Sequence, residues 1–218
     1  MKYIIALTLL ISLHHTCAAQ VDIPFAFTSD EDNRLLKDGE AGKSYVASGD
    51  TTNVVYLNEE TFVYKLYNNT HKLITEGSYS NEGDRYYHEG KWTVYYDNGK
   101  PKMTGHYKKN KPIGLWQEFY ENGKPKTTYN YAPISYEGYN FSCMAGGYEE
   151  FYDNGKLKIT GIYGANLESN CMDTVSAVNP VSGMEEMKVV KTKCPLPVKI
   201  GTWEYYKESG ELDRKEDF

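Results

Sequence analysis

The stretch YYDNGK at residues 95–100 returns as FYENGK at 119–124 and as FYDNGK at 151–156. A repeat of this kind constrains a fold more than local propensity does, because each unit must bury its apolar surface against its neighbours. The match extends well beyond the turn. Gly90, Trp92, Tyr95, Tyr96, Asn98, Gly99, Lys100 and Tyr107 recur 24 residues later as Gly114, Trp116, Phe119, Tyr120, Asn122, Gly123, Lys124 and Tyr131. A further 32 residues on stand Gly146, Tyr148, Phe151, Tyr152, Asn154, Gly155, Lys156 and Tyr163. A fourth copy begins at Gly201 with Trp203, Tyr206 and Ser209-Gly210, after a link at about 164–200 that is enlarged by an insertion of 31 residues. Upstream, FVYKLYNNTHKLITEGSY at 62–79 reads as a degenerate copy with one extra residue at its turn.

Each unit reads as a β-hairpin. Asn-Gly between aromatic, β-prone runs is a strong short-range hairpin signal, because a type I′ turn needs positive φ at both central residues. The flanking segments WTVYY and PKMTGHY are rich in strand formers. A two-residue turn at Asn98-Gly99 sets Trp92 opposite Gly105 and Gly90 opposite Tyr107. It likewise sets Tyr148 opposite Gly161. Large rings then lie over bare backbone on the partner strand of the same hairpin. Trp116 meets Tyr129 instead, which breaks this pattern in the second copy. The expected fold is all-β, with tandem hairpins of about 24-residue period stacked into an elongated, twisted antiparallel sheet. The 21 tyrosines then serve as a half-wet aromatic packing layer.

Export is expected from the first residues. Lys2 precedes the apolar run IIALTLLISL and the small residues before Gln20, the pattern of a secretory signal cut after Ala19. Ten apolar residues fall short of the roughly 20 that span a bilayer. A lipid-anchored alternative through Cys17 fits less well, since His15 and Thr16 precede it. The formal net charge of −6 becomes one unit more negative once Lys2 leaves, which disfavours nucleic acid and anionic lipid as partners. Expected segments are thus the signal at 1–19, an irregular or strand cap at 20–55, and the repeat domain at 56–218. After Cys17 is removed, Cys143, Cys171 and Cys194 remain, and the pair inside the insertion, Cys171 with Cys194, is the expected disulfide.

The 107–126 segment, YKKNKPIGLWQEFYENGKPK, resembles the bacterial variant of the MORN (membrane occupation and recognition nexus) repeat. The likeness covers roughly 62–163 and 201–211. It implies a hairpin-repeat fold and no catalytic residues. Eukaryotic relatives are associated with membrane and protein attachment, and some bacterial ones carry an antitoxin label.

Chemistry-bearing motifs are sparse. His71, His88 and His106 show no metal-ligand spacing with one another or with cysteine, and no metal or cofactor is expected. The acidic stretch SDEDNRLLKDGE has Leu35 where a calcium loop needs glycine. Glu149 and Glu150 alternate across a strand and cannot share a site. The sequons NNT at 68–70 and NFS at 140–142 read as surface loops. The candidate binding or packing surface is the aromatic series Trp92, Tyr96, Trp116, Tyr120, Tyr148, Tyr152 and Trp203. Exposed, it would offer a ladder of rings to sugars or a protein; buried, it would hold hairpins together. The insertion is the second candidate, either a disulfide-closed recognition lobe or a disordered excursion. The expected function is an exported, non-enzymatic scaffold that binds a protein or an envelope component. The alternatives are a glycan-binding or glycan-acting envelope protein and an antitoxin or immunity-type protein.

Overall fold

The computed structural model describes residues 44–46, 53–55, 62–68, 70, 72–82, 85–136, 138–178 and 185–218. These form strands β1 (Ser44–Val46), β2 (Asn53–Val55), β3 (Phe62–Tyr67), β4 (Leu73–Glu82), β5 (Arg85–Tyr95), β6 (Pro101–Lys108) and β7 (Lys111–Phe119). Then follow β8 (Pro125–Tyr136), β9 (Tyr139–Phe151), β10 (Leu157–Asn166), β11 (Asn170–Val178), β12 (Glu185–Lys193), β13 (Leu196–Tyr206) and β14 (Leu212–Asp217). Twelve strands make one antiparallel meander in the order β1 to β10, then β13 and β14, while β11 and β12 pair separately. Among the described residues there is no helix, so none is long and apolar enough to cross a membrane. The all-β hairpin-repeat architecture therefore stands. The signal segment and residues 20–43 lie outside the described residues.

The expected pairings hold, but through a different turn. Trp92 faces Gly105 and Gly90 faces Tyr107. Yet only Gly99 has positive φ at the turn, and the amide of Tyr96 donates to Lys100 O at 2.9 Å while that of Gly99 donates to Tyr96 O at 2.8 Å. This is a three-residue loop with glycine in the left-handed position, not a type I′ turn. Alone it would shift every partner by one. A bulge at Lys102, between the pairs Tyr95–Pro101 and Val94–Met103, shifts the register back. Lys126, Lys158 and Asp213 occupy the same bulge in the other copies. The type I′ geometry appears instead in the link between hairpins, where Lys109 and Asn110 have φ of 49° and 64°. The upstream copy carries no extra residue, since Asn68 N bonds Lys72 O across the same loop length.

The NGK signature recurs because it fastens each hairpin to the next. Tyr96, Tyr120 and Tyr152 donate their phenol hydrogens to Phe119 O, Phe151 O and Tyr206 O at 2.6, 2.7 and 2.7 Å. Asn98, Asn122 and Asn154 donate from Nδ2 to Glu121 O, Asp153 O and Glu208 O. Lys100, Lys124 and Lys156 donate from Nζ to Asn122 O, Asn154 O and Ser209 O. Each asparagine also accepts from the amide two residues on, closing its own turn. Tyr120→Phe, which removes one such bond from a half-buried site, should cost about 1 kcal/mol. Urea unfolding measures this, and an unmoved midpoint would show that water replaces the bond without loss.

The terminal hairpin lacks these donors. Lys207, Ser209 and Glu211 stand where Tyr96, Asn98 and Lys100 stand in the first full copy. β14 is also strongly charged, which discourages edge-to-edge pairing. In the fourth copy Phe218 bonds Gly201 through both backbone groups at 3.1 and 3.2 Å, at the positions where Tyr107 and Gly90 are register partners in the first full copy.

The links grow while the turns stay constant. The eight extra residues between the second and third copies prolong β8 and β9 until Tyr136 faces Tyr139. The sequon residues 140–142 therefore lie in a strand, not a loop, and the Ser142 hydroxyl donates to Pro112 O. In the large insertion, residues 164–166 and 196–200 prolong β10 and β13, and the remainder forms the regular β11–β12 hairpin from Asn170–Lys193 to Val178–Glu185. Its described residues thus extend two strands of the sheet and add one hairpin at the link end.

Candidate functional site

One face of the sheet is its core. Trp92, Trp116 and Trp203 are 0–1% exposed, and their indoles lie flat on glycine. The expectation that each ring covers a glycine of its own hairpin is corrected here. Trp92 covers Gly77, Trp116 covers Gly105 and Trp203 covers Gly161, all on the preceding hairpin. The second copy's departure now has a reason. Its glycine position holds Tyr129, and the next hairpin correspondingly presents Tyr148, its register partner across β8 and β9, in place of tryptophan. Large and small alternate across each interface, so a larger residue on one hairpin goes with a smaller one on the next. Edge-to-face contacts continue the row from Tyr79 through Trp92 and Tyr107 to Trp116 and Tyr131 at centroid distances of 5.2, 6.2, 5.1 and 6.0 Å. Tyr148, Tyr163, Trp203 and Phe218 carry it to the sheet's far side. His88, one of the three histidines weighed as ligands, is buried in this row against Trp92 at 4.4 Å and hydrogen-bonds Tyr79 and Asn110.

Of the aromatic series singled out in the sequence, the three tryptophans are core, Tyr148 is half-buried, and Tyr96, Tyr120 and Tyr152 are engaged in holding hairpins together. No tryptophan ladder faces solvent.

The opposite face is built from the residues that alternate with these. Register partners connect Lys65, Glu76, Thr93, Thr104, Gln117, Thr128, Glu149, Thr160, Glu204 and Lys215 in one unbroken polar row across ten strands. Directly opposed residues share a face. Beside it, nearer the turns, runs a second row of half-buried rings: Tyr95, Phe119, Phe151 and Tyr206, paired with Pro101, Pro125, Leu157 and Leu212. These rings are the first members of the aromatic pairs YY, FY, FY and YY. Sequence reasoning passed them over by following the alternation from Trp92 onto the core face. Their signal was present as one ring per repeat on the other parity.

Where the two rows meet at the first full copies, an open groove of about 530 Å³ is lined by Val63, Glu76, Ser78, Lys91, Thr93, Tyr95, Pro101, Thr104, Gln117 and Phe119. Glu76 is held by Lys65 at 3.8 Å and accepts from the Tyr95 hydroxyl at 2.5 Å. The Thr93 and Thr104 hydroxyls bond one another at 3.3 Å. Burial and the Glu76 carboxylate push the Tyr95 phenol up to about 12. Burial also raises Tyr107, Tyr129 and Tyr148 well above the ordinary tyrosine range. A tyrosine whose pKa is raised by folding favours the fold fully below its unfolded value near 10 and loses that contribution as pH climbs through the folded value. Absorbance titration at the tyrosinate band should therefore show one group of tyrosines ionising near pH 10. A second group should ionise only at about pH 12 and above, together with loss of far-UV signal. A single transition at pH 10 with structure retained would contradict the burial.

Among the described residues no three of His, Cys, Asp and Glu cluster to hold a metal ion. Glu150 turns to Lys158 at 2.5 Å, and Glu149 stands in the polar row. Cys143 is a buried thiol, while Cys194 is disulfide-bonded. The side chain of Cys171, its expected partner, lies outside the described residues.

No curated protein matches the chain. Among solved structures, a porin-like protein from Bacteroides uniformis is 13% identical with a TM-score of 0.21, over 77% of this chain and 60% of that one. The chain thus spans less than two thirds of that protein's length. The family described as the MORN repeat variant matches at residues 89–109, 112–132 and 146–163. Each of these stretches begins at or just before the glycine that opens a hairpin and closes at or just beyond the tyrosine that pairs with it. The three central hairpins of the chain are thus similar to the MORN repeat variant.

Proposed function

We propose that the chain is an exported, non-enzymatic repeat scaffold that binds a protein or cell-envelope component through the sheet face opposite its aromatic core. One observation carries this reading: Tyr95, Phe119, Phe151 and Tyr206 form a periodic row of half-buried rings on that face, beside an unbroken row of polar side chains. The tryptophans that would otherwise offer a ladder are used up inside the sheet. Rigid aromatic anchors next to hydrogen-bonding groups are the usual content of an interaction surface. The family resemblance supports a repeat module over a catalyst.

Affinity capture from an envelope extract, with wild type beside Phe119→Ala/Phe151→Ala, tests the reading. A partner retained by wild type and lost by the double variant, with unfolding midpoints within about 1 kcal/mol of each other, is the expected result. Equal retention by both would remove this face from the function. Export makes its own prediction: sequencing the exported protein should read Gln20-Val21-Asp22, and a chain still beginning at Met1 in the envelope fraction would refute the cleavage.

A further inference from the structure

Building on the scaffold reading, we infer that the groove between Tyr95 and Phe119 takes a proline-rich peptide segment in the polyproline II conformation, flanked by acidic residues. The first ground is dimensional. Tyr95 on β5 and Phe119 on β7 stand two strands apart, roughly 9.5 Å at the usual inter-strand spacing. One turn of a polyproline II helix, three residues of 3.1 Å rise, advances roughly 9.3 Å. Successive turns of such a helix therefore meet successive rings, with one turn per repeat.

The second ground is chemical. A polyproline II backbone makes no internal hydrogen bonds, so its carbonyls need outside donors. The Ser78 hydroxyl and the Gln117 amide line the groove and make no side-chain hydrogen bond to other described residues. Gln117, two residues from Phe119 on β7, can supply such a donor while the rings take the proline faces, the mode by which aromatic-lined grooves read such segments. The Tyr95 ring is already fixed by its 2.5 Å bond to Glu76, so little of its freedom remains to be lost on binding.

The third ground is charge. Of the charged groups lining the groove, Glu76 is paired with Lys65 and accepts a hydrogen bond from Tyr95. Lys91 is exposed and has no ion-pair partner among the described residues. Lys91 stands four residues from Tyr95 along β5, to one side of the ring row, and an unpaired cation beside the peptide's path favours a peptide that carries carboxylates.

Fluorescence anisotropy of the full chain with a labelled peptide, Asp-Asp-Pro-Pro-Leu-Pro-Pro-Leu-Pro, against the same core carrying Lys-Lys in place of Asp-Asp, tests the inference. Saturable binding that favours the acidic peptide is expected. Phe119→Ala should weaken it about tenfold or more, as loss of an aromatic anchor does. Lys91→Glu, an exposed change that leaves the unfolding midpoint in place, should reverse the flank preference. Absence of binding, or binding indifferent to both substitutions, overturns the proposal. So does saturable binding of cellohexaose that is lost with Phe119→Ala, which would make the groove a sugar site. If the peptide fails to bind while envelope capture still depends on Phe119 and Phe151, the scaffold reading survives and only the peptide assignment falls. Failure of both experiments removes both.

Discussion

Gly105→Ala is expected to destabilise the protein by about 2–3 kcal/mol or more, far beyond the usual effect of one added methyl group. A β-carbon at Gly105 would lie 2.1 Å from Cδ2 of Trp116, against the fused ring system and not a flexible tip. The backbone there is not in the left-handed region, so the cost is steric alone. Gly147→Ala is the control, since a β-carbon there meets nothing within 4 Å, and it should stay within about 0.5 kcal/mol of wild type. The protein also contains its own suppressor. At the next interface the same positions hold Tyr129 and Tyr148, so Gly105→Tyr should be severely destabilising alone and partly rescued by Trp116→Tyr. Urea midpoints of the four proteins measure this coupling. Additive losses in the double variant would mean that the glycine and the indole do not form one packing unit.

Trp203→Ala should remove about 3–5 kcal/mol, the range for deleting a large buried ring. The indole lies on Gly161, donates from Nε1 to Ile162 O at 3.2 Å, meets Tyr163 at 4.8 Å and Tyr148 at 5.5 Å, and holds the Lys199 ammonium 4.5 Å above its ring. No other indole joins the last hairpin to the sheet, and repeat stability is a sum of units and nearest-neighbour interfaces. The loss should therefore be local. Hydrogen exchange should accelerate first in β13 and β14, while β5 to β8 keep wild-type protection. Uniform acceleration across all strands would show a single cooperative core and defeat the nearest-neighbour picture.

In β14 the position equivalent to Gly105 is Glu216, so this strand offers no glycine seat for an indole. Together with Lys207, Ser209 and Glu211 in place of the fastening tyrosine, asparagine and lysine, it leaves the outer edge without either the seat or the donors that join one hairpin to another.

Much of this was legible from residue spacing. The 24-residue period, the antiparallel hairpins and the pairing of Trp92 with Gly105 follow from repetition and alternation, which act within one hairpin. The turn was misread because Asn-Gly favours a two-residue loop locally. The longer loop and the Lys102 bulge occur together and cancel in register, so pairing alone cannot tell them apart. The bulge does place Lys102 above the Tyr96 ring, at 5.8 Å, an arrangement repeated by Lys158 and Tyr152.

The sequence by itself determined the repeating unit, its strand pairing and which residues share a face, because these depend on periods of two within strands and of 24 between hairpins. Only the tertiary structure decided which face became the core, and that each indole reaches back to the preceding hairpin. Those outcomes depend on stacking between units: a flat ring is buried wherever a neighbour lacks a side chain, and the neighbour's glycine lies on a strand that no local pattern connects to it. The alternate row, Tyr95, Phe119, Phe151 and Tyr206, was left to face outward by that choice.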